Sequence, residues 1–172
     1  AAMVASLTAC GSNSNSGTTT TAAGAAESTT AAAGNDSEAP ASGEGFKVGV
    51  IGPLTGGAAA YGNAVKNGAD LAVKEINAAG GVNGVMLELN AQDDEHDAQK
   101  SVNAYNTLKD WGAQMIVGST TSGPCIAVSA ETANDNMFQI TPSGSAVECV
   151  SPDNVFRVCF SDPMQGLESA KY

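Results

Sequence analysis

Arginine and histidine are nearly missing from this chain: Arg157 and His96 are the only ones. Seven basic residues face 18 acidic ones, giving a net charge of −11 over 172 residues. Nucleic acid binding needs a basic stripe, and none exists, so that class of partner is excluded. The acidity names no other partner; it keeps a surface soluble. With one histidine, a Ser/His/acid triad would have to be built around His96, and no Gly-x-Ser-x-Gly elbow is present. The glycines of residues 52–57, GPLTGG, fit neither the phosphate-loop nor the dinucleotide fingerprint, because Lys66 and the later acids stand at the wrong offsets. No run in the mature protein is long enough to span a bilayer. The length suits one domain with a sizeable core.

A second absence divides the chain. Residues 11–45 contain no Val, Ile, Leu, Met, Phe, Tyr or Trp. Such a segment cannot bury enough apolar surface to offset its chain entropy, so a disordered tether is expected over residues 10–45. Residues 1–9 read as the remnant of a secretory signal whose methionine and basic start are missing. The run Leu7-Thr8-Ala9-Cys10 resembles the bacterial lipoprotein box, which implies a lipid-bearing Cys10 and anchorage on the outer face of the cell membrane.

The folded domain is expected over residues 46–172. FKVGVIG reads as a buried strand, followed by a glycine-rich turn and a helix with Val65, Ala69, Ala72 and Ile76 on one stripe. Asp70 and Lys74 are spaced to pair on its wet side. Val85, Leu87, Leu89 and Ala91 alternate with polar residues, as in a half-exposed strand. That strand ends in the acidic turn of residues 92–97, and Ala98, Val102, Tyr105 and Leu108 mark the next helix. Strand and helix keep alternating, which predicts an α/β fold with a doubly wound parallel sheet.

Residues 115–145, MIVGSTTSGPCIAVSAETANDNMFQITPSGS, organise the rest. Two buried strands each end in a hydroxyl-rich turn, with a helix between them. Open parallel sheets hold ligands outside the carboxyl ends of their strands. Ser122 is placed as the helix N-cap, and the free N–H groups of the first turn suit a small anion such as a carboxylate.

These segments in order, FKVGVIGPLTGGAAAYGN, the turn at Asp93-Asp94, VGSTTSGP and ITPSGSA, resemble the leucine/isoleucine/valine-binding proteins of bacterial ABC importers. The resemblance implies a first lobe of a two-lobe periplasmic-binding-protein-like fold, with the second lobe absent. It implies capture of a branched-chain or related amino acid and delivery to a membrane permease. Ser122 would then hold the α-carboxylate and the Ser143 carbonyl would accept from the ammonium. Ser145 would bond both charged groups, and Tyr61 would line the side-chain pocket. An amide-binding protein or a sensor domain of the same fold is the alternative reading. Some relatives bridge two cysteines at places that correspond here to His96 and Thr121, so that bridge cannot form.

Once Cys10 is set aside, Cys125, Cys149 and Cys159 remain, and two could pair in an oxidising location. Cys149 and Cys159 flank a short loop and are the expected pair, leaving Cys125 as a buried thiol. The acids around His96 match no EF-hand or zinc spacing and read as a solvated turn. No metal and no cofactor are expected.

Overall fold

The computed structural model describes residues 45–172. Cys10, the signal remnant and nearly all of the expected tether lie outside the described residues. Five strands form one sheet: β1 (Phe46–Gly52), β2 (Leu87–Asp93), β3 (Met115–Val117), β4 (Gln139–Thr141) and β5 (Val155–Arg157). All pairs are parallel and the order is β2-β1-β3-β4-β5. The helices are α1 (Ala59–Ala78), α2 (Ala98–Trp111), α3 (Ser122–Asp135) and α4 (Asp162–Lys171), with a short 3-10 turn at Val147–Val150. The expected doubly wound parallel sheet is present.

Each β1 face is shaped by its small residues. On one face Gly49 lacks the Cβ that would otherwise stand 2.8 Å from both Leu108 and Ile116. There α2 and α3 pack on the sheet, and Ile51, Tyr105, Leu108, Ile116 and Val128 are fully buried. Burying each of these stabilises by about 1.5–3 kcal/mol. On the other face Gly52 admits α1, whose Gly62 lies directly against the Pro53 backbone. The α1 stripe is only half-buried and shifts from the expected set: Ala72 is exposed and Val73 takes its place. Asp70 pairs with Lys66 at 2.6 Å rather than with Lys74. The reason is position: both partners sit at the sheet-ward margin of α1, whereas Lys74 points to solvent.

At the bottom of the fold, the amino ends of the strands frame an apolar cavity of about 400 Å³. Asn83 is the only polar residue lining it, so it offers little to orient a charged ligand. Among the described residues no helix is long and apolar enough to cross a membrane.

Candidate functional site

The chain leaves β1 for β2 on one side and later enters β3 on the other. Parallel sheets open a crevice at the carboxyl ends of strands where the winding reverses in this way. The structure has a cleft of about 430 Å³ there, lined by Ala58, Tyr61, His96, Thr121, Ser122, Gly123, Ser143 and Ser145. The four residues singled out as ligand contacts, Tyr61, Ser122, Ser143 and Ser145, therefore share one cleft. His96 and Thr121 join them.

Each wall is held by side chains spent on backbone. Asp93 accepts from the Leu54 N–H at 2.8 Å and from the Thr55 hydroxyl, tying the loop after β1 to the end of β2. Asp94 turns inward, fully buried, and accepts from the Ser119 hydroxyl at 2.7 Å and the His96 N–H at 2.9 Å. The Thr141 hydroxyl donates to the Ser119 carbonyl at 2.8 Å and accepts from the Gly144 N–H at 3.0 Å. The turns after β2, β3 and β4 are thus joined by one continuous hydrogen-bonded chain behind the cleft. Arg157 closes the last turn, with Nη1 donating to the carbonyls of Ser145 at 3.1 Å and Ala146 at 2.9 Å.

The acidic turn is therefore not simply solvated. Asp93 and Asp94 are structural ties, and the sequence signal for this was weak because their hydroxyl partners lie far along the chain. The N-cap of α3 is Thr121, one residue before the expected Ser122. Thr121 makes no side-chain cap and instead meets His96 Nδ1 through its hydroxyl at 2.8 Å. Ser122 becomes the first helical residue, its hydroxyl accepting from the Ala146 N–H at 3.3 Å. In the first turn of α3 Pro124 has no N–H, and the Cys125 N–H is taken by the Thr121 carbonyl at 2.9 Å. This leaves the N–H groups of Ser122 and Gly123, two cleft-lining residues, without an intrahelical partner at the positive end of the dipole. The lining contains hydroxyls and helix N–H groups but no arginine or lysine.

All three described cysteines are free thiols. The expected Cys149–Cys159 bridge is not formed, because the 3-10 turn directs Cys149 under α3. Its sulfur lies 3.6 Å from the Ser122 carbonyl, while Cys159 stands partly exposed beyond β5. Among the described residues no group of three His, Cys, Asp or Glu side chains converges as a metal site would require.

The periplasmic binding protein family matches residues 45–172. The chain belongs to the periplasmic binding protein family. Within it, the chain is 39% identical over 136 residues to the Leu/Ile/Val-binding protein BraC3 of Rhizobium johnstonii, covering 78% of this chain and 37% of that protein. The Leu/Ile/Val-binding protein homolog 3 of Brucella melitensis is 35% identical over the same length and shares. Among solved structures, the branched-chain amino acid substrate-binding protein LivJ of Streptococcus pneumoniae, in complex with isoleucine, superimposes with a TM-score of 0.66 at 31% identity. That match covers 69% of this chain and 35% of LivJ. A Desulfitobacterium hafniense substrate-binding protein in complex with Leu gives a TM-score of 0.67 at 27% identity, over 75% of this chain and 38% of that one. This periplasmic binding protein chain thus spans a little over a third of the length of its relatives.

Asp94 makes the site's stability depend on pH. Burial pushes its carboxyl above the ordinary 3.8, and the bonds from Ser119 and the His96 N–H only partly offset this. A raised native value means the folded state holds the proton more tightly. Its contribution therefore favours folding most below 3.8 and is lost as pH rises through the raised native value. Asp94→Asn removes the titration. From about pH 3 to about pH 6 the unfolding free energy of the parent should fall relative to that of the variant. Denaturant titrations of both proteins across that range check it; a parent that gains on the variant as pH rises refutes the assignment.

Proposed function

We propose that this chain is the first lobe of an extracytoplasmic solute-binding protein of an ABC importer. It captures a branched-chain or related amino acid and delivers it to a membrane permease. The observation that carries this reading is the cleft lining. Ser122, Ser143, Ser145 and the first turn of α3 supply neutral donors and acceptors for a zwitterion, and Tyr61 supplies an apolar wall. Neutral hydroxyls and helix N–H groups balance one carboxylate without an arginine. The isoleucine and leucine complexes of LivJ and the Desulfitobacterium protein support the ligand class. Ser122 is assigned to the carboxylate, the Ser143 carbonyl to the ammonium, Ser145 to both, and Tyr61 to the ligand side chain. A second lobe in the full-length protein supplies the rest of the grip, and Cys10 supplies a lipid anchor on the extracellular face of the cell membrane. No cofactor takes part.

Titration calorimetry on the full-length protein with leucine, isoleucine, valine and one polar amino acid tests the reading. Saturable binding of at least one branched-chain amino acid is expected. Binding of none of the four would overturn it. Cys10→Ala in the same protein is expected to release it from the membrane fraction, and unchanged partitioning would remove the anchor.

A further inference from the structure

We infer that Cys125 and Cys149 form a disulfide that fastens the first turn of α3 to the segment leaving the Ser143–Ser145 turn, behind the cleft. Both residues are fully buried, one on α3 and the other on the 3-10 turn that packs against it. The Cys125 sulfur donates to the Cys149 carbonyl at 3.9 Å, and the Cys149 sulfur donates to the Ser122 carbonyl at 3.6 Å. Gly144 leaves room for the pair: a Cβ built on it would stand 3.0 Å from the Cys149 sulfur. The two positions are 24 residues apart in sequence, one a helical turn past Ser122 and the other on the turn that follows Ser145. A bond between them would join the two hydroxyl-bearing walls covalently. Thiols are weak donors, so losing their contacts to the Ser122 and Cys149 carbonyls costs little.

The compartment favours the bond. Periplasmic binding proteins work where disulfides form and persist. Burial pushes the Cys125 thiol up to about 12, so in the finished fold it is almost wholly protonated and inert. Oxidation therefore takes place while the chain is still folding and the thiols are open, with a disulfide-carrying oxidoreductase as oxidant. One cysteine thiolate attacks the oxidant's disulfide, forming a mixed disulfide and releasing one oxidant thiol. The second cysteine thiolate then attacks the mixed bond and releases the other. The two cysteines lose two protons and two electrons, and the oxidant's disulfide is reduced to two thiols. Once α3 closes over it, the bond is shielded from reductants.

The test uses full-length protein exported to an oxidising compartment and purified without reductant. It is denatured in iodoacetamide, digested and mapped by mass spectrometry. The expected product is a Cys125 peptide linked to a Cys149 peptide, with Cys159 alkylated. Alkylated Cys125 and Cys149, or either one linked to Cys159 or Cys10, overturns the inference. Cys159→Ser is expected to keep the link and guards against exchange during work-up; loss of the link in that variant also counts against it. Reduction should lower the unfolding midpoint by roughly 5–10 °C, as expected for opening a loop of this size. A protein whose midpoint is unmoved once mapping shows the link opened would refute the fastening role. None of these measurements depends on which ligand the cleft takes.

Discussion

Ser145→Ala in the full-length protein is expected to weaken amino acid binding by roughly ten- to a hundred-fold. The hydroxyl of Ser145 lines the cleft, while its backbone carbonyl is already engaged by Arg157 and by the Asp162 N–H at 3.0 Å. The Ser145 carbonyl is therefore spent behind the cleft, and its hydroxyl is left to serve the ligand. Truncating it removes bonds to charged groups worth about 1.5–3 kcal/mol each. At about 1.4 kcal/mol per decade, one such bond already accounts for the lower figure. Ser122→Ala should cost less. Its hydroxyl is shared with the Ala146 N–H, and the N–H groups of the α3 first turn survive the substitution. Calorimetry on the two variants beside the parent checks the ranking. Parent-like affinity in Ser145→Ala would show that the ligand sits elsewhere in the cleft.

Gly62→Ala should destabilise the fold by at least about 2 kcal/mol, although alanine is the better helix former. A Cβ at this position would lie 2.0 Å from the Pro53 carbonyl oxygen and 2.5 Å from its carbon. The obstacle is backbone and cannot rotate away, so α1 must lift from the loop after β1. The gain in helix propensity, about 1 kcal/mol, is smaller than the cost of that displacement. Gly68→Ala is the matched control, because nothing lies within 4 Å of its added carbon. It should be neutral or stabilising by up to about 1 kcal/mol. Equal stability of the two variants in denaturant titrations would refute the close approach of α1. Because Tyr61 precedes Gly62, the same substitution should disturb the cleft wall, and any ligand affinity should fall with stability.

Much of this architecture was legible in the chain itself. The alternation of strand and helix patterns determined a parallel, doubly wound sheet, because each apolar run has a length and period that suit only one element. The hydroxyl-rich turns of residues 119–122 and 142–145 pointed to one rim, and the structure gathers them at one cleft there, since donors placed after parallel strands must gather at one edge. The near absence of cationic residues determined the kind of lining this cleft could have, one of hydroxyls and helix N–H groups. What the pattern could not carry were the pairings across the fold. The alternation of an amphipathic helix does not say which acid a lysine will choose, so Asp70 pairs with Lys66 and not Lys74. Local acidity suggested a solvated turn, yet Asp94 is buried because Ser119, 25 residues on, brings a hydroxyl to it. Short sequence separation suggested Cys149 and Cys159, but a 3-10 turn rotates Cys149 toward α3 and Cys125. Period and composition are local properties and survive in one dimension. Hydrogen bonds and thiol contacts between distant turns depend on backbone direction at each turn, and only the packed sheet decides that.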